Sequence, residues 1–75
     1  MRKSFKLENL DCANCAAKME AGISELPGVS KATISFMTSK LMIDADTDDA
    51  ATFATIVDEA QKVCTSYERD CIIKR

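Results

Sequence analysis

An α+β sandwich of element order β-α-β-β-α-β, with a four-stranded antiparallel sheet and both helices on one face, is what this 75-residue chain predicts. Three observations predict it. Short segments alternate apolar and polar residues, the period of half-buried strands. Two longer segments repeat apolar residues every three or four positions, the period of amphipathic helices. Turn and cap residues fall where the period changes. The compact arrangement for this order is the split β-α-β unit.

The first strand runs over Ser4 to Glu8, where Phe5 and Leu7 alternate with Lys6 and Glu8. A polar break, Asn9 to Asp11, surrounds one apolar residue, Leu10. Between Ala13 and Leu26 the residues Ala16, Met19, Ile23 and Leu26 recur at helical spacing, and Pro27-Gly28 ends that helix. Val29 to Met37 reads as a strand with Ala32, Ile34 and Phe36 on one face. Thr38-Ser39 turns the chain, and Lys40 to Asp46 returns with Leu41, Ile43 and Ala45 inward, giving a β-hairpin. Thr47-Asp48-Asp49 supplies capping groups for a second helix. Its apolar stripe is Phe53, Ile56, Val57, Ala60, Val63 and Cys64. A last strand is expected over about Tyr67 to Lys74, with Cys71 in its middle as a packing residue.

Seventy-five residues make one small domain, residues 1–75, whose core has to be used efficiently. A net charge of −2 with no Lys/Arg run gives no reason to expect nucleic acid as a partner. No apolar stretch approaches the roughly 18 to 20 residues that span a bilayer, and no signal peptide is visible. Any membrane part of a parent protein therefore lies outside this segment. Four Cys with only 2 Gly and 1 Pro do not read as a disulfide scaffold. Thiols kept reduced in a cytosol for metal or redox work fit better. With no His, the commonest general base and imidazole ligand are missing, and no catalytic constellation is visible.

The chemistry is concentrated in Asn9-Leu10-Asp11-Cys12-Ala13-Asn14-Cys15-Ala16. Cys12 and Cys15 sit three positions apart where a loop enters a helix, so both sulfurs can close on one soft ion. Cys15 falls in or near the first helical turn, whose free N–H groups favour a thiolate. Asp11 adds a carboxylate. Two sulfurs and an oxygen suit a borderline divalent ion such as Zn(II) better than Cu(I). The competing roles are a helix cap for Asp11 and a redox dithiol for the two Cys. Cys64 continues an apolar stripe and reads as a small buried hydrophobe. The split β-α-β order nevertheless brings Cys64 to Tyr67 towards the thiol loop, where Tyr67 would cover the loop or cap the core.

These residues resemble the heavy-metal-associated domains, which occur as soluble copper chaperones and as amino-terminal domains of heavy-metal-transporting P-type ATPases. The resemblance covers the whole chain and implies a ferredoxin-like sandwich. Leu10 takes the motif's apolar position, Asp11 its variable position, and Cys12 and Cys15 its two metal-ligand positions. Copper members commonly carry Thr or Ser where this chain has Asp11. An acidic residue there is similar to the Zn/Cd/Pb-exporting branch. Asn9 stands where a Gly often precedes the apolar residue.

The resemblance implies a monomeric domain on the cytoplasmic side of a plasma-membrane ATPase. It would bind Zn(II), Cd(II) or Pb(II) through Asp11, Cys12 and Cys15 and serve the parent's transport domains. A free-standing metallochaperone, exchanging metal with a partner domain of the same fold, is the alternative. A thiol-disulfide oxidoreductase is a third reading. It is disfavoured because a thioredoxin-like fold needs a longer chain and Ala13-Asn14 does not resemble its redox loop.

Overall fold

A computed structural model describes all 75 residues. The elements are β1 (Arg2–Glu8), α1 (Ala13–Ser24), β2 (Val29–Ser35), β3 (Lys40–Ala45), α2 (Ala50–Tyr67) and β4 (Ile72–Lys74). The strands form one antiparallel sheet in the order β2-β3-β1-β4. Alternation decides which face is covered. Leu41, Ile43 and Ala45 of β3 are buried, with Leu7 of β1, Ala32 of β2 and Ile73 of β4. Met19 and Ile23 of α1 and Phe53, Val57 and Ala60 of α2 close over that face in one core of 16 residues. This is the ferredoxin-like α+β sandwich expected from the sequence.

The differences lie at element ends. α1 stops at Ser24, two residues before Leu26, because the ring of Pro27 disfavours helical backbone in the residue before it. Glu25 instead caps α1, its N–H directed at the Gly22 and Ile23 carbonyls. The hairpin turn takes four residues, Phe36 to Ser39, and not Thr38-Ser39 alone. Ser39 adopts a left-handed φ of 52°, and its N–H donates to Phe36 O at 3.3 Å. Phe36 is thereby left outside β2 and exposed.

The last strand requires the largest correction. α2 continues through Tyr67, and β4 holds only Ile72–Lys74. Cys71 therefore precedes β4 and does not sit in its middle. Val63 to Tyr67 are weak helix formers, so it is the packing of buried Cys64 at the end of the stripe that carries the helix on. Gln61 compensates for the short strand. Its Nε2 donates to Cys71 O at 2.8 Å, and its Oε1 accepts the Ile73 N–H at 2.7 Å. One side chain of α2 thus holds both ends of the segment entering β4.

The register sets the functional edge. Glu8, the last residue of β1, pairs with Ile72, the first of β4. The loop leaving β1 and the loop entering β4 must therefore meet at one edge of the sheet.

Candidate metal centre

Asn9 opens the thiol loop with φ of 61°. This left-handed backbone is where Gly is usual and Asn is the best-tolerated substitute. Its Nδ2 also donates to Asp70 O at 3.0 Å, tying the loop to the one before β4. Leu10 then turns inward and is buried in the core, which anchors the loop from below.

Cys12 is the N-cap of α1. Its backbone is extended, and its Sγ accepts the Cys15 N–H at 3.2 Å. The capping role thus belongs to a ligand candidate and not to Asp11. The two thiols are electrostatically unequal. The Cys15 side chain and then its backbone N–H donate to the Cys12 sulfur, holding the Cys12 thiol below the ordinary value, with help from the Asn14 N–H. Cys15 is pushed up, first because its thiol donates to Cys12 and second by burial. The free N–H groups of the helix start therefore favour a thiolate at Cys12, not at Cys15 as the sequence position alone implied.

The Cys12 and Cys15 sulfurs and a carboxylate oxygen of Glu68 all lie within 4.8 Å of one another. All three residues are partly exposed. Glu68 directly follows α2, and its Oε2 accepts the Asp11 N–H at 3.3 Å. Glu68 thus joins the loop through a residue distant in sequence, and its negative charge raises both Cys12 and Cys15. A cation placed among these groups would relieve that repulsion while displacing the thiol protons.

Sequence reasoning did not find Glu68. The topology placed Cys64 to Tyr67 near the thiol loop, and Glu68 is the next residue along. An acidic residue directly after that segment was the available signal. The Asp11 carboxylate is exposed and outside the group of three donors, although its main-chain N–H holds Glu68. Tyr67 ends α2, is 47% exposed and takes no part in the core. Cys64 and Cys71 are also outside the donor group, and both are buried. Burial first, then the Cys71 neighbour, pushes the Cys64 thiol up to about 12, and burial also raises Cys71.

The heavy-metal-associated domain family matches residues 4–68, from β1 through Glu68. A zinc/cadmium/lead-transporting P-type ATPase of Shigella sonnei is 41% identical over 59 residues, 79% of this chain and 8% of the ATPase. The chain thus spans under a tenth of the length of that relative. The Zn(II) form of the N-terminal domain of ZntA superposes with a TM-score of 0.70 at 30% identity, covering 97% of this chain and 88% of that one. The CopZ metallochaperone shares the fold, with a TM-score of 0.71 at 14% identity, covering 97% of this chain and 98% of its own. With a two-cysteine loop at the first strand-helix junction and a family match across most of its length, this chain is a metal-binding module that belongs to the heavy-metal-associated domain family.

Proposed function

We propose that this domain binds a divalent borderline-soft ion, Zn(II) or Cd(II) with Pb(II) as a third candidate, on the cytoplasmic side of a heavy-metal-exporting P-type ATPase of the plasma membrane. Cys12 and Cys15 supply the sulfurs, and Glu68 and Asp11 supply oxygens. One observation carries this reading: a carboxylate oxygen of Glu68 lies within 4.8 Å of both thiol sulfurs. Zn(II) takes four mixed sulfur and oxygen donors readily, whereas Cu(I) is selected by soft sulfur. Charge points the same way. Two thiolates and two carboxylates carry four negative charges, which a dication offsets better than a monocation. The likeness to a zinc/cadmium/lead transporter and to a Zn(II)-form domain supports the same choice. The three partly exposed donors leave an incoming ligand room to approach, as an exchanging site requires and a closed structural site does not.

Titration of the reduced chain with Cd(II) tests the proposal. One equivalent should raise a thiolate-to-metal absorbance, and the Cys12→Ser/Cys15→Ser variant should show none. Undiminished binding by that variant would remove the site from this loop.

A further inference from the structure

The helices cover one face of the sheet and nothing covers the other. Leu7, Ala32, Leu41, Ile43 and Ile73 point into the core, so the residues beside them along each strand point to the open face. That face carries Arg2, Lys6, Lys31, Lys40 and Lys74 against two carboxylates, Glu8 and Asp44. All five cations are exposed. They come from four different strands, which is why no basic run shows in the sequence. The chain as a whole stands at −2. Its acidic excess therefore lies on the helices and loops, and the molecule is two-sided in charge.

The register sets three of the lysines in one row. Lys6 of β1 is directly opposite Lys40 of β3 on one side and Lys74 of β4 on the other. Opposite side chains on neighbouring strands stand about 5 Å apart at Cβ, and like charges there destabilise a sheet. Lys74 has a carboxylate partner, Glu8 at 3.4 Å, but Lys6 and Lys40 are in no ion pair. Folding gains nothing from this row. A local rule broken without structural return marks a surface kept for something outside the fold, and the charge requires that to be anionic.

We propose that the open sheet face is a peripheral docking surface for a bilayer rich in anionic phospholipid, whose phosphates sit among the strand lysines. The shape of the face selects this occupant. Its cations span four strands, at about 4.8 Å per strand step, which is wider than one free phosphate. Between them lie short side chains, Ser4, Thr33 and Ser35, and the half-buried Met42. Neither cavity of the molecule opens on this face, so a protein partner finds no pocket for an anchoring side chain. No aromatic ring is offered to a nucleic-acid base either. Phe5 and Phe53 stack on each other on the covered side, Phe36 stands in the hairpin turn and Tyr67 ends α2. A fluid layer of headgroups needs neither pocket nor ring. An anionic leaflet is within reach of a domain attached to a membrane ATPase. That proximity rests on the function proposed above, whereas the charged face does not. The acidic helix side is repelled by the same leaflet, which fixes the orientation. The thiol loop leaves the end of β1 at the sheet edge, so a docked domain keeps its metal donors open to solvent.

Flotation of the reduced apo chain with vesicles tests this. At low ionic strength it should bind vesicles of equal parts phosphatidylcholine and phosphatidylglycerol, ignore pure phosphatidylcholine, and come off as sodium chloride is added. Lys6→Glu should weaken binding by about tenfold or more. Lys62→Glu makes the same charge change on α2 and should leave binding nearly unchanged. Lys6→Glu should also raise the urea midpoint, since a carboxylate then faces two lysines. Equal binding to both kinds of vesicle, or equal loss in the two variants, would overturn the docking face. Tighter binding to a single-stranded oligonucleotide than to the anionic vesicles would overturn the lipid assignment in favour of nucleic acid. Displacement by inorganic phosphate beyond that by sodium chloride at equal ionic strength would overturn it in favour of a free anion. A chain that binds vesicles but gives no Cd(II)-thiolate absorbance would overturn the metal reading and leave the face standing. A chain that binds Cd(II) but no anionic vesicle would overturn the face alone.

Discussion

Glu68 is the residue whose replacement separates its two effects on the site. Its charge raises both thiols, and its oxygen is one of the three gathered donors. Glu68→Gln should therefore make Cys12 and Cys15 more acidic and yet weaken Zn(II) and Cd(II), by about tenfold or more, roughly 1.4 kcal/mol. Thiolate absorbance against pH and a competition titration with a chelator read the two effects independently. If affinity rises with acidity, Glu68 is only a repulsive neighbour. Asp11→Thr tests the second oxygen. It should weaken Zn(II) and Cd(II) more than Cu(I), because a divalent ion losing an oxygen must fill its shell with water. Equal loss for all three ions would reduce Asp11 to the backbone contact it makes with Glu68. Cys12 and Cys15 were legible because their spacing is local and their chemistry has few other uses. Glu68 was not, because it is 57 residues from the Asp11 N–H it accepts and reaches it only through the sheet register.

At the scale of elements, periodicity identified all six segments and their order, since burial on one face imposes a repeat that the side chains must obey. It failed at boundaries decided by tertiary contacts. α2 runs through Tyr67, where the last strand was expected to begin, and Gln61 of α2, bonded to Cys71 O and to the Ile73 N–H, holds the short β4 in place. The contact between helices was equally invisible in the sequence. A Cβ on Gly22 would stand 2.9 Å from Val63 Cγ1, so α1 and α2 approach closely at a position where a larger side chain meets its neighbour. Gly22→Ala gains helix propensity of about 1 kcal/mol. Overpacking costs about 1 to 3 kcal/mol, so the net change should be destabilising. Val63→Ala alone removes partly buried surface and should also destabilise. Together the two should cost less than the sum of the single changes, because the second makes room for the first. Urea denaturation of the four chains gives the coupling, and strict additivity would mean that the helices are free to separate at this point.

For the whole molecule, the core and the metal loop are nearly separate. Of the loop residues Asn9 to Cys12 only Leu10 belongs to the buried core, so the apo chain should unfold cooperatively and the ion should act as cargo. Free ion at a hundredfold over Kd then adds about 2.7 kcal/mol by mass action. The pH dependence of the apo protein follows from the thiols. Cys64 has a folded value of about 12 against an ordinary 9.0, raised first by burial, so the native state keeps a proton that the unfolded chain releases. A raised value stabilises fully below the unfolded pKa and is lost as pH climbs through the folded one. Apo stability should therefore be flat with respect to Cys64 below about pH 8.5 and fall progressively from there towards pH 12. Each proton of difference contributes a slope of about 1.4 kcal/mol per pH unit. Cys71, also raised by burial, adds to the fall, while Cys12, held low by its donors, opposes it. Cys64→Val keeps the apolar contact and removes one titrating group. Its denaturation midpoint should decline less steeply with pH than that of the wild type. Parallel declines in the two proteins would show that the alkaline loss comes from other groups and that Cys64 is not held neutral by the fold.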